Sequence, residues 1–182
     1  PKTLALAQRF AVQANNDPQK IIQLGLNYFR EQGFVYTLKP GLLGRDSVDE
    51  FMFDTRKGYC EHYATAFVVM MRGAGVPARA IGGYMGGERN PFESYLIVRE
   101  LDAHAWAEVF LPNQGWVRVD PTYTVAPERI TEGADASMQS RDEYDPSGLL
   151  GFASITGLGW LNDVRLWADS LNYGWTRWFL NY

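Results

Sequence analysis

The chain has 182 residues, of which 46 % are hydrophobic and 21 % charged, and its net charge is −4. This length suits one domain with an appendage, and the hydrophobic share excludes a chain that is disordered throughout. The acidic balance excludes the basic surface that nucleic-acid binding requires. The single cysteine, Cys60, excludes an internal disulfide and every CxxC metal or redox motif.

Neither a metal site nor a membrane span is predicted. The acidic stretch "GRDSVDEFMFD" (44–54) lacks the spacing of a calcium loop, so we interpret it as a solvated loop. With only two histidines, a zinc site would need carboxylates to complete it, and we expect no cofactor. No run of 18 apolar residues and no signal peptide is visible. The start at Pro1 indicates a piece of a longer protein.

The first predicted helix follows Asp17, an N-cap residue with proline at the next position. It runs through "PQKIIQLGLNYFREQG" and ends at Gly33. A short extended piece is predicted at 34–38, and residues 41–58 are predicted to be a loop with an apolar insert.

The second predicted helix runs from Cys60 to about Arg72. It contains no Gly or Pro, and apolar side chains cover most of its circumference, which is typical of a buried central helix. Gly73, Gly75 and Pro77 end it.

After this helix the hydrophobic period changes to that of strands. Four strands are predicted, at 78–85, 94–100, 103–111 and 115–120. Their short connections favour antiparallel hairpins. One buried helix followed by antiparallel strands predicts an α+β fold, with the helix packed across the sheet.

The whole chain is predicted to have three parts. These are a folded domain at 1–130, a linker or wrapping loop at 131–158, and an amphipathic aromatic helix at 159–182. The apolar stripe of that helix is Trp160, Val164, Trp167, Leu171 and Trp175. Packing on the domain and a position beside a membrane surface both fit this pattern.

Cys60 lies where a cysteine becomes reactive. A helix N-terminus beside a histidine lowers a thiol pKa from roughly 8.5 to about 3.5–7.5, and the backbone N–H of Cys60 could stabilise an oxyanion. His62 is close in sequence, but residues two apart on a helix do not face each other. His104, on a predicted strand, is the better base, and we interpret His62 as packing or surface.

A base needs an orienting group, and Asp120 is the best candidate. It is 16 residues from His104, and their midpoint, Pro112, lies beside the predicted turn, so the two residues should be roughly opposite. Asp102 is a weaker competitor. Alternatively Cys60 is a small buried hydrophobe, His104 a core histidine and Asp120 a turn cap. The conjunction of all three favours a Cys–His–Asp triad.

Three blocks of sequence, "GYCEHYA", "AHAWAEV" and "WVRVDPT", closely resemble the transglutaminase-like superfamily. The resemblance covers about 34–122 and implies that Cys60, His104 and Asp120 are the equivalent catalytic residues. It also implies the fold that this superfamily shares with papain-like cysteine proteases. "VDEFMFDTRKGYCEHYA" and "VRELDAHAWAEV" are similar to the bacterial membrane-anchored subgroup, the TgpA type, which implies a periplasmic domain of an inner-membrane protein.

The resemblance implies a protein-glutamine gamma-glutamyltransferase type of reaction. Cys60 would form a thioester with a carboxamide and transfer the acyl group to an amine of a protein or peptide, for example in the cell envelope. A peptidase or amidase, or a binding domain without catalysis, remains the alternative. For a second oxyanion donor we consider Tyr59, Tyr36 and Trp106, and we interpret Glu61 as helix capping.

Overall fold

The helix that begins at Cys60 lies at the centre of the fold, as predicted. The computed structural model describes residues 1–128, 164–171 and 173. The helices are α1 (Lys2–Gln13), α2 (Pro18–Glu31), α3 (Ser47–Asp49), which continues into a π-helical turn (Glu50–Thr55), and α4 (Cys60–Gly73). The strands are β1 (Val35–Tyr36), β2 (Lys57–Gly58), β3 (Ala78–Tyr84), β4 (Glu88–Arg89), β5 (Leu96–Ile97), β6 (Ala103–Leu111) and β7 (Gly115–Val119). Helix α4 packs against α1 and α2 on one side and against β3 and β6 on the other.

Helix α2 begins and ends as its capping residues predict. The Asp17 carboxylate accepts hydrogen bonds from the N–H groups of Gln19 and Lys20, and Gly33 follows the helix in the left-handed region at φ +70°. Helix α1 was not predicted. Its buried face, which includes Ala7 and Phe10, lies against the core.

The prediction of a loop at 41–58 is wrong for its second half, which is helical from Ser47 to Thr55. Phe51 and Met52 are fully buried there. The acidic side chains are hydrogen-bond acceptors: Asp49 caps α1 through the Thr3 N–H at 2.8 Å and the Thr3 hydroxyl at 2.6 Å, and Glu50 accepts from Gly44. Asp49 and Thr3 are distant in sequence, and Gly44 and Glu50 are not at a spacing typical of a helix. The local sequence pattern therefore did not reveal these contacts.

The main sheet has the order β3–β6–β7, and both pairs are antiparallel. Ala107, Val109 and Leu111 of β6 are buried on the face that packs against α4. The strand predicted at 94–100 is shorter than expected. Only β5 is extended, and it pairs with β4 in a separate hairpin before a 3₁₀ turn at Glu100–Asp102.

Strands β1 and β2 form a short parallel pair in front of α4. Tyr36 lies beside Gly58, and the Thr37 N–H donates to the Gly58 carbonyl at 2.9 Å. This pair fixes the backbone two residues before Cys60.

Part of the predicted C-terminal helix is described, and residues 164–171 are helical. Of the predicted stripe, the structure describes Val164, Trp167 and Leu171, which are about half exposed, while Leu166, outside the stripe, is buried. The predicted linker at 131–158 lies outside the described residues. Within the described residues, no helix combines the length and hydropathy that crossing a membrane requires.

Candidate active site

Cys60 is the first residue of α4 and is 7 % exposed. Tyr59 is the N-cap, in extended conformation, and its N–H lies 3.4 Å from His62 Nδ1. The backbone N–H groups of a helix's first turn point out of its positive end. The thiol therefore lies where a thiolate and an oxyanion would both be stabilised.

His104 and Asp120 are directly hydrogen-bonded, with 2.7 Å between His104 Nε2 and Asp120 Oδ2. The His104 side chain is fully buried and that of Asp120 is 11 % exposed. The turn is centred on Asn113 rather than Pro112, since Leu111 pairs with Gly115. Asp120 therefore continues β7 to the position beside Trp106 and reaches His104 diagonally rather than from directly opposite.

The environment of His104 favours its charged form. Burial lowers its pKa, but hydrogen bonds and negative charge from Asp120 and Cys60 outweigh burial and raise the pKa to about 9. Nδ1 is buried and has no hydrogen bond of ordinary geometry within the described part of the chain. Because Asp120 occupies Nε2, we interpret Nδ1 as the nitrogen that faces Cys60. Catalytic hydrogen bonds are often long until substrate binds, and we interpret this contact as one of them.

The two weaker candidates have other partners. The ring of His62 packs edge-on against Tyr59, with 4.5 Å between ring centroids, and burial lowers its pKa. Asp102 Oδ2 accepts from the Arg99 N–H at 2.8 Å, within its own turn. The structure thus brings Cys60, His104 and Asp120 together, and it leaves His62 and Asp102 out.

Three aromatic side chains were considered as second oxyanion donors. Burial, the charge of Glu61 and a hydrogen bond to Glu61 raise the pKa of the Tyr59 hydroxyl, with a smaller effect of Cys60. Tyr36 is buried and its ring lies parallel to that of Tyr63 at 6.4 Å. Trp106 stacks on His104 at 6.3 Å, with 20° between the rings.

The sequence reasoning missed one charged neighbour of the site, Arg118. Its Nη2 lies 3.5 Å from Asp120 Oδ2, and its guanidinium carbon lies 4.2 Å from the Trp106 ring centroid. A signal was present, because residues two apart on a strand share a face and Arg118 precedes Asp120 by two.

Among the residues that the structure describes, no group of three or more His, Cys, Asp or Glu side chains could hold a metal ion.

An open pocket of about 710 Å³ lies away from Cys60, between the start of α2 and the β6–β7 hairpin, where Asp17, Lys20 and Leu111 are among its lining residues. None of the three proposed triad residues lines it.

Several known proteins are similar to this chain. The model of the transglutaminase-like superfamily matches residues 5–121. A protein-glutamine gamma-glutamyltransferase of Pseudomonas aeruginosa is 50 % identical over the whole chain, and the chain covers 27 % of its length. An uncharacterized Bacillus subtilis protein, YebA, is 46 % identical over 53 % of the chain and 14 % of its own length.

A solved structure is also similar. The crystal structure of the periplasmic domain of TgpA from Pseudomonas aeruginosa superposes with a TM-score of 0.70 at 51 % identity, over 74 % of this chain and 46 % of that one. The predicted α+β fold, with the Cys-bearing helix packed on an antiparallel sheet, is thereby confirmed. The chain belongs to the transglutaminase-like superfamily.

Proposed function

We propose that this protein is a thiol acyltransferase that uses Cys60, His104 and Asp120 as a catalytic triad. The observation that carries the proposal is that the buried His104 ring is hydrogen-bonded to Asp120 and interacts with Cys60 at the start of α4. These interactions raise the pKa of His104 to about 9. A buried imidazole that stays protonated at neutral pH stabilises a thiolate beside it.

The first half-reaction forms an acyl-enzyme. The Cys60 thiolate attacks the carbonyl carbon of a carboxamide, such as a glutamine side chain, and the carbonyl oxygen becomes an oxyanion that the Cys60 N–H stabilises. The C–N bond then breaks, and the imidazolium of His104 gives its proton to the leaving nitrogen. Ammonia leaves and a thioester remains on Cys60.

The second half-reaction regenerates the thiolate. The nitrogen of an amine attacks the thioester carbon while His104 accepts a proton from it. The C–S bond breaks, and an isopeptide bond and the thiolate–imidazolium pair result. Water in place of the amine would give a carboxylate, so the same site would act as an amidase or peptidase if water is not excluded.

The relatives also suggest partners and a location for the proposed activity. We propose protein or peptide substrates that carry glutamine and amine groups, since the Pseudomonas aeruginosa relative is named a protein-glutamine gamma-glutamyltransferase. Similarity to the periplasmic domain of TgpA supports a periplasmic location. We further propose a membrane-anchored parent protein and substrates in the cell envelope.

We also propose the division of the chain. The family match to residues 5–121 supports a catalytic domain at about 1–130. The linker at 131–158 and the amphipathic helix at 159–182, either packed on the domain or beside a membrane, remain parts of the proposal.

Two products distinguish the possible activities. The purified protein and Cys60→Ala are incubated with a glutamine-rich protein and a fluorescent primary amine, and both ammonia and amine incorporation are measured. We expect both signals from the native chain and neither from Cys60→Ala. Ammonia without incorporation would show a hydrolase, and neither signal from the folded native chain would contradict the proposal.

A further inference from the structure

Four side chains on one face of the main sheet form a closed ring. His104 is hydrogen-bonded to Asp120 at 2.7 Å, and Asp120 is paired with Arg118 at 3.5 Å. Arg118 lies over the Trp106 ring at 4.2 Å, and Trp106 stacks on His104 at 6.3 Å. The ring includes the proposed base and its orienting acid, together with two residues that have no assigned role.

The strand register explains why the ring closes. His104 and Trp106 are two residues apart on β6, and Arg118 and Asp120 are two residues apart at the end of β7, so all four share a face. Arg118 is paired with Glu108, two residues along β6 from Trp106. Both contacts between the strands are therefore diagonal, a distance that long and aromatic side chains span.

The Asp120 carboxylate is fixed at both oxygens. Oδ1 accepts from the Thr122 N–H at 3.2 Å, and Oδ2 receives both His104 Nε2 and Arg118 Nη2. The Thr122 contact alone leaves the carboxylate able to turn about its Cβ–Cγ bond, because that torsion is broad for aspartate. The Arg118 guanidinium contacts the same Asp120 oxygen that is hydrogen-bonded to His104, and the Trp106 ring stacks against that guanidinium.

Trp106 lies where it does because β3 leaves space for it. Gly83 is opposite His104 in the register, and a Cβ at Gly83 would come within 2.7 Å of Trp106 Cη2. A Cβ at the adjacent Gly82 would meet nothing within 4 Å. Gly83, but not Gly82, is therefore required for the indole to occupy its place.

We propose that Trp106 and Arg118 are positioning residues that hold the Asp120 carboxylate against His104. The inference rests on the proposed triad and adds the residues that keep it aligned. The charged groups that act on His104 are Cys60 from α4 and Asp120 at the end of β7, and β3 contributes only Gly83 opposite it. Arg118 acts on His104 through Asp120.

The same sheet face contains a matched control. Arg79 lies over the Trp116 ring at 4.2 Å, forms an ion pair with Glu108 at 2.6 Å, and is 47 % exposed. Arg118 has the same stacking distance and is 51 % exposed. If these arginines contribute only the surface stability of a cation–π contact, the two should behave alike.

The test is a proton NMR titration of the histidine rings, which needs no substrate. The chain has two histidines, so His62→Gln assigns both signals, and His62 then reports any general disturbance. We expect Arg118→Ala and Gly83→Ala to lower the pKa of His104 by about half to one unit, a roughly three- to tenfold change in the ratio of its ionised to its neutral form at fixed pH. Arg79→Ala and Gly82→Ala should leave it unchanged.

The sign of the shift separates positioning from charge. Removing a cation that acted only through its charge would stabilise the imidazolium and raise the pKa of His104. Arg118→Lys keeps the charge but not the planar group that stacks and bridges at once, so it too should lower the pKa. A rise, no change, or an equal effect of Arg79→Ala in folded protein would overturn the inference.

A further variant distinguishes failure of the proposed triad from failure of the positioning role. Asp120→Asn removes the carboxylate charge while the amide oxygen can still accept from Thr122. If Asp120→Asn does not lower the pKa of His104, the proposed triad itself is wrong. If Asp120→Asn lowers the pKa of His104 but Arg118→Ala and Gly83→Ala leave it unchanged, only the positioning role is wrong.

Discussion

At the scale of single residues, the two histidines differ in the direction in which their surroundings shift the pKa. Burial lowers the pKa of both, and for His62 burial prevails. For His104, the hydrogen bond and charge of Asp120 and the Cys60 thiol prevail, and the pKa is about 9. At neutral pH His62 is therefore neutral and accepts the Tyr59 N–H, while His104 is protonated and able to donate to a leaving group.

This difference predicts the alkaline limit of the reaction. His104 must be protonated to release ammonia, and its pKa is raised, so the protonated form persists below about pH 9 and is lost as pH rises through that value. The rate of ammonia release should fall over the same range. In Asp120→Asn the fall should occur at lower pH, because the effects that raise the pKa are weakened while burial remains. An identical alkaline limit in both proteins would contradict the role of Asp120.

At the scale of elements, the sequence predicts those whose signals are local. Helix α2 has its cap and its terminal glycine, α4 has a long apolar run between Cys60 and a glycine pair, and β3, β6 and β7 alternate clearly. The His104–Asp120 contact also followed from hairpin spacing, although the turn is centred one residue later than expected. A long antiparallel hairpin tolerates that error, since diagonal neighbours are within reach.

The helical turn from Ser47 to Thr55 and the contacts of Arg118 were missed because they depend on distant partners. The helix at Ser47–Asp49 reads locally as an acidic loop, but Asp49 contacts the start of α1 some 46 residues away. Likewise the local sequence indicates only that Arg118 is an exposed strand residue. Its contacts with Trp106 and Asp120 become visible only in the fold. Local periodicity contains no information on such contacts.

The start of α4 offers a test of how the thiol is placed. A Cβ at Gly58 would come within 2.7 Å of His62 Cβ and 2.8 Å of the Phe51 ring. Because both neighbours lie in packed surroundings, we expect Gly58→Ala to lower the free energy of unfolding by about 1–3 kcal/mol and to slow alkylation of Cys60 by iodoacetamide. Urea unfolding and alkylation rates measure the two effects.

Gly41 provides the control, since a Cβ there would meet nothing within 4 Å. Gly41→Ala should retain both properties of the native chain. Equal stability of Gly58→Ala and the native chain would show that the tight packing before Cys60 is not required.

At the scale of the whole molecule, helical segment 164–171 is attached to the β4–β5 region by polar contacts. Asn90 is buried, and its Nδ2 donates to the Leu166 carbonyl at 2.9 Å and to the Tyr95 hydroxyl at 2.6 Å. Arg165 pairs with Glu88 at 2.9 Å. The segment is thereby linked to the hairpin that connects β3 to β6, the strand of His104.

Removing the amide should release this segment. In Asn90→Ala the Leu166 carbonyl loses the hydrogen bond from Asn90, at a cost of about 0.5–1.5 kcal/mol. We expect proteolysis within 164–171 to become faster while the rest of the domain stays resistant. Trp167→Ala, at a half-exposed position on the same segment, should be cleaved no faster than the native chain. Unchanged cleavage of Asn90→Ala would show that this contact does not hold the segment.

The central claim is that Cys60 forms a covalent acyl-enzyme, and trapping that species tests it most directly. The protein is mixed with a glutamine peptide, quenched in acid before amine is added, and the peptide that contains Cys60 is examined by mass spectrometry. The account predicts a thioester adduct with the mass of the donor peptide less one ammonia, absent from Cys60→Ala and strongly reduced in His104→Gln. Ammonia release without any adduct on Cys60, or an adduct of equal yield in His104→Gln, would contradict it.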